Sequence, residues 1–110
     1  MGGSIGLEGL KEVEVFPGIL RKTMSYNAEA MLCHFTMKKG ARVPLHDHPA
    51  VQVDYVISGS VRFHFGDGSA GVMEAGSSCI VDSNQTHGLE VLEDAEAIEI
   101  FTPMRPEYAV

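Results

Sequence analysis

The chain has 110 residues, 45 % hydrophobic and 21 % charged, which is enough for one folded domain with one core and too little for two. Fifteen acids against eight Lys and Arg give a net charge of -7, which argues against a phosphate-backbone partner, so no nucleic-acid partner is expected. There is no run of about eighteen apolar residues and no basic segment leading into an apolar one. Neither a membrane span nor a secretory signal is therefore expected, and a cytoplasmic location is the default.

Residues 1–10 are rich in Gly and carry little pattern, the composition of a mobile or loosely docked arm. Strand signals follow at Val13 and Val15 and again over Ile19–Tyr26, interrupted by the turn pair Pro17-Gly18. The paired basic residues Arg21-Lys22 and Lys38-Lys39 read as solvated strand ends. After a polar loop at 25–29, residues 30–38 alternate, with Met31, Cys33, Phe35 and Met37 on one face and Leu32, His34 and Thr36 on the other.

Residues 51–57 alternate differently. Val51, Val53, Tyr55 and Ile57 share one face, and Gln52, Asp54 and Val56 share the opposite one. If Gln52 faces the interior, the apolar outer stripe needs a cover, and a homodimer is expected. Gly59-Ser60 is read as a chain reversal, followed by a strand with Val61, Phe63 and Phe65 opposite Arg62 and His64, then a turn at 66–69. Short strands are expected at 71–73, 79–82, 86–92 and 97–102, separated by Ala75-Gly76-Ser77, Ser83-Asn84-Gln85 and Glu93-Asp94. Closely spaced short strands with no long helical period make the chain an all-β barrel or sandwich. Cys33 and Cys79 form no Cys-x-x-Cys pattern and are expected as buried thiols.

His46 and His48 are separated by one residue, so on an extended strand both imidazoles point to the same side. Together with His87 and the amide of Gln52 they would make one four-ligand metal site; Gln52 could instead stand behind the ligands as a hydrogen-bonded amide. His34 and His64 are read as ordinary imidazoles. The spacing Gly40, His46, His48, Gln52, Gly59 resembles the first cupin motif with Gln for the usual Glu. Residues 71–87 resemble the second, with Asp82 for Pro and Asn84 for Gly. Asn tolerates a left-handed backbone, so the turn survives. The resemblance implies a small single-domain cupin, a double-stranded β-helix or jelly-roll barrel over residues 1–110. Three imidazoles and a neutral amide leave a divalent ion its full charge; Ni, Fe, Co, Mn and Zn all suit such donors.

Ser25-Tyr26-Asn27, His46-Asp47-His48-Pro49 with Gln52, and residues 99–105 make the chain similar to the pectin-degradation cupins, the uronate ketonyl isomerases. That resemblance implies a dimer and a metal held by His46, His48, Gln52 and His87. The reaction it implies converts a 4,5-unsaturated monouronate, a small sugar acid, to its linear keto form. It places Glu99, Phe101 and Arg105 in the pocket, with Glu99 where the family has Asp. Glu99 and Phe101 share a strand face, and Arg105 offers a fork for the substrate carboxylate. Glu99 would move protons, or else form an ordinary salt bridge with Arg105 or Arg62. An iron-dependent dioxygenase and a non-catalytic sugar- or metal-binding cupin are the alternative readings.

Overall fold

A computed structural model describes residues 3–109. Its strands are β1 (Glu12–Phe16), β2 (Ile19–Tyr26), β3 (Met31–Met37), β4 (Arg42–His46), β5 (Val51–Phe65), β6 (Ala70–Glu74), β7 (Ser78–Val81) and β8 (His87–Thr102), followed by a 3-10 turn at Pro106–Tyr108. The sheet order is β1-β2-β3-β8-β5-β6, with β4 added to β8 and β7 to β5, and all these pairings are antiparallel. Among the described residues no helix is long and apolar enough to cross a membrane. The expected N-terminal arm begins at Met1 and Gly2, outside the described residues. Residues 3–10 belong to no strand, and Lys22 Nζ donates to the Leu7 carbonyl at 3.2 Å.

Two long strands replace four short ones. Gly59-Ser60 does not reverse the chain: β5 runs through it, and the pairing with β8 shifts register between Val56 and Val61. From Val56 to Val61 β5 advances five residues while β8 advances six, from Ala97 to Val91, and the odd step swaps the inner and outer faces of β5, so Gln52, Asp54 and Val56 are buried before the shift and Val61 and Phe63 after it. The break in alternation that looked like a turn is this change of phase. Gly59 permits it with φ +77°, and a Cβ on it would lie 2.0 Å from the Asp94 carbonyl oxygen. Glu93-Asp94 is not a turn either. Their side chains accept hydrogen bonds from Ser60 Oγ and the Lys39 amide, both at 2.8 Å, while β8 continues.

Arg21 is the other correction. It is almost wholly buried rather than at a solvated strand end, with its guanidinium carbon 4.4 Å above the Tyr108 ring. Inward residues of β3, β5 and β8 close the core: Met31, Cys33, Phe35 and Met37 meet Val56, Val61, Phe63, Val91, Ala97 and Phe101. Each large apolar side chain buried this way is worth roughly 1.5–3 kcal/mol. Both cysteines are free, and burial pushes the thiol of Cys33 up to about 11 and that of Cys79 up to about 12.

Candidate metal centre

His46 ends β4, opposite His87 at the start of β8. His48 does not share that strand, as expected from the one-residue spacing, but lies in the loop beyond it. This loop is latched to the turn that precedes β8. The amide of Asn84 donates to the His48 carbonyl at 2.8 Å, and Ser83 Oγ donates to the Pro49 carbonyl at 2.6 Å. Asn84 takes the left-handed backbone with φ 60°, the conformation expected of a residue standing for Gly.

The three imidazoles converge: one ring nitrogen from each lies within 4.8 Å of the others. A carbonyl only accepts, so the contacts His46 Nδ1 to Pro44 O (3.0 Å), His48 Nδ1 to Ala50 O (2.9 Å) and His87 Nδ1 to Gln85 O (2.7 Å) put a hydrogen on every Nδ1. In the neutral ring Nε2 is then a bare lone pair, the arrangement in which backbone carbonyls orient metal-binding histidines. Burial holds His87 neutral, lowering its pKa to about 4, and lowers that of His48 as well.

Gln52, on the inner face of β5, completes the cluster. Its amide nitrogen donates to both carboxylate oxygens of Asp54, at 3.0 and 2.9 Å. Its Oε1 is left 3.1 Å from His48 Nε2, where two lone pairs face each other with no hydrogen between them. His87 Nε2 is buried with no hydrogen-bond partner. A cation satisfies all of these atoms together, so the donor set fits a divalent metal held by His46, His48, His87 and the Gln52 oxygen.

Beside this centre lies a cleft of about 430 Å³, counting its open mouth; its lining includes His46, Gln52, His87, Glu99, Arg105 and Tyr108. Glu99, on β8, is opposite both Cys33 and Asp54. It hydrogen-bonds to the Asp54 carboxyl rather than forming a salt bridge with Arg105 or Arg62, which pair with Glu107 and Glu90 instead. Two carboxyls can hydrogen-bond only through a proton held by one of them. Burial, helped by the charge of Asp54, pushes Glu99 well above the usual carboxyl range, and burial pushes Asp54 up to about 6.

Arg105 lies against two rings that touch each other edge to face, its guanidinium carbon 5.2 Å from the Phe101 centroid and 4.1 Å from that of Tyr108. Phe101 itself is fully buried and does not line the cleft; it supports the edge of the His48 ring, 5.8 Å between centroids, and the arginine. Sequence reasoning gave no role to Asp54 or Tyr108. Asp54 carried a signal, as an acid two residues from Gln52 on the same inward face of a strand. Tyr108 carried none, since it lies beyond the last strand.

Comparison with known proteins agrees with this architecture. Residues 33–102 match the family model of the cupin domain. Over 72 residues the chain is 28 % identical to a nitrosourea synthase of Streptomyces achromogenes subsp. streptozoticus, a match covering 66 % of this chain. The match takes in about 15 % of that relative's length. An RmlC-like cupin from Shewanella frigidimarina superposes with TM-score 0.91 at 27 % identity, over 99 % of this chain and 97 % of that one. KdgF from Halomonas sp. superposes with TM-score 0.90 at 25 % identity, over 97 % and 98 % of the two chains.

Proposed function

Because the chain belongs to the cupin domain family, whose barrels host many chemistries, we propose its reaction from the cleft itself: a metal-dependent isomerase that converts a 4,5-unsaturated monouronate to its linear keto form. The observation that carries this reading is one cleft lined by imidazole nitrogens, a buried carboxyl that bonds through a proton, and an arginine held against two rings. The motif resemblance to pectin-degradation cupins and the end-to-end similarity to KdgF support it.

His46, His48, His87 and Gln52 would hold the metal. When bound, it supplies Lewis acidity toward the substrate's oxygens. Arg105, its plane set by Phe101 and Tyr108, takes the substrate carboxylate through two parallel N–H bonds. Opening the ring removes the hydrogen of the anomeric hydroxyl and breaks the bond between the anomeric carbon and the ring oxygen, whose electron pair stays on that oxygen; the resulting enolate becomes a ketone by gaining a proton on carbon. One proton leaves and one returns. The Glu99–Asp54 pair, already sharing a proton, is suited to take the first and give the second.

The test follows ultraviolet absorbance of unsaturated galacturonate and mannuronate with cobalt-, nickel- or zinc-loaded protein. Absorbance should fall faster than in buffer, with no oxygen uptake. If no loaded form outpaces buffer on either sugar, the reading fails; oxygen uptake by the iron form would move it to a dioxygenase.

The proposal extends to a homodimer through the outer face of the sheet. Val53 is in register with Ile80 on one side and Ile100 on the other, and these exposed side chains continue into Tyr55 and Ile57. Light scattering at micromolar concentration should give twice the chain mass, falling to one chain mass in V53K/I80K. A wild-type monomer refutes this part.

A further inference from the structure

We infer that Asp54 positions the Gln52 amide, turning Oε1 toward the three imidazoles, and that Asp54 is the reason position 52 takes Gln. This rests on the metal-centre reading above and adds a residue outside the ligand set. The argument is one of donors and acceptors. The two Gln52 amide orientations are nearly equal in shape, so neighbours decide between them. As folded, Nε2 sits 3.0 and 2.9 Å from the Asp54 oxygens. Rotating the amide would put Oε1 there, an acceptor against a carboxyl group that already accepts, and would aim N–H groups at the imidazole lone pairs. A carboxylate at position 52 has no N–H for Asp54 in either orientation.

Asp54 cannot swing away to relieve such a clash. It is buried on the inner face of β5, it hydrogen-bonds with Glu99 from β8, and Cys79 Sγ donates to its Oδ2 at 3.7 Å. Strand alternation places residues 52 and 54 side by side on that face. The Gln in the first motif is thus half of a pair whose other half is Asp54.

The test uses Co²⁺ alone, with affinity from chelator competition, visible absorption as a report on the ligand set, and apo circular dichroism as a check on folding. Asp54→Leu, which leaves no acceptor for the Gln52 amide nitrogen, is expected to weaken cobalt binding about 10- to 100-fold, the usual cost of losing a residue behind the ligands, and to change the absorption bands. Gln52→Glu is expected to weaken it as well. In Q52E/D54N the amide introduced at position 54 donates to the carboxylate introduced at position 52, so the double variant should bind more tightly than Gln52→Glu alone.

Wild-type affinity in D54L, or a double variant no better than Q52E alone, would each overturn the inference. Should D54L not fold, wild-type cobalt affinity in Q52E overturns it instead. If the wild-type protein itself binds no cobalt, the metal-centre reading fails first, which is a different result from any of these.

Discussion

Replacing His87 with Leu should stabilise the metal-free protein, because the site stores an unmet lone pair. His87 Nε2 is buried without a partner, a condition worth about 1–3 kcal/mol of instability. Leucine removes that atom at nearly the same volume and gives up the 2.7 Å bond to the Gln85 carbonyl, worth roughly 1 kcal/mol, so a net gain of about 1 kcal/mol is expected at pH 8. Lower pH widens the gap. Burial, reinforced by the charges of His46, His48 and Arg105, lowers the folded pKa of His87 from 6.5 to about 4. A base with a lowered folded pKa contributes stability above its unfolded pKa and loses it as pH falls, because the unfolded chain binds the proton first. At pH 5 the loss is about 2 kcal/mol, and the leucine variant escapes it. The assay is thermal unfolding in chelator at both pH values, at roughly 4 °C per kcal/mol, then at pH 8 with cobalt at a hundred times its dissociation constant. Cobalt should add about 2.7 kcal/mol to the wild type and much less to His87→Leu. An advantage for leucine that does not grow between pH 8 and pH 5, or an equal cobalt shift in both proteins, would refute the reasoning.

Three further outcomes follow from the same geometry. Glu99→Gln keeps the volume of the side chain but removes its carboxyl, so turnover of the unsaturated uronate should fall about 10²- to 10⁴-fold with metal content unchanged; a loss under fivefold rules out a proton-transfer role. Arg105→Lys replaces a planar fork held against Phe101 and Tyr108 by a point charge, and should raise KM about tenfold while kcat changes little. A fall in kcat at constant KM would contradict the binding role. Gly59→Ala puts a Cβ 2.0 Å from a carbonyl oxygen at φ +77°, and thermal unfolding should show a loss of at least about 2 kcal/mol.

The three-histidine cluster was legible because the histidine-bearing motifs are short and their donors sit at fixed offsets, and the all-β class was legible because alternation runs through long stretches of β3, β5 and β8. The long strands were not. In β8 the clue was present: His87, Leu89 and Val91 share their inward parity with Ala95, Ala97, Glu99 and Phe101, so nothing changes phase at Glu93-Asp94. Acidic letters there suggested a loop because their partners, Ser60 and the Lys39 amide, come from distant parts of the chain. In β5 the phase does change, and from sequence a bulge and a turn leave the same mark. Burial of Arg21 was hidden for a related reason: its cover, the Tyr108 ring, is 87 residues further along.

The long strands also explain how distant residues meet in one cleft. His87 and Glu99 lie on the same strand twelve residues apart, which on a straight strand is roughly 40 Å at 3.3 Å per residue, about the longest dimension of the molecule, 41 Å. Both nevertheless line the same cleft, so β8 must coil around the barrel between them. β5 bends alongside it through the register shifts around Gly59, which bring Gln52 and Asp54 opposite Phe101 and Glu99 while Phe65 stands opposite His87. Each of the two strands thus contributes one residue to the metal centre and one to the acid pair. The distance between metal ligands and carboxyls is therefore set by strand curvature rather than by loops. A strand paired on both edges is stiffer than a loop, which suits the proposed reaction, whose proton carrier would have to keep its place relative to the metal.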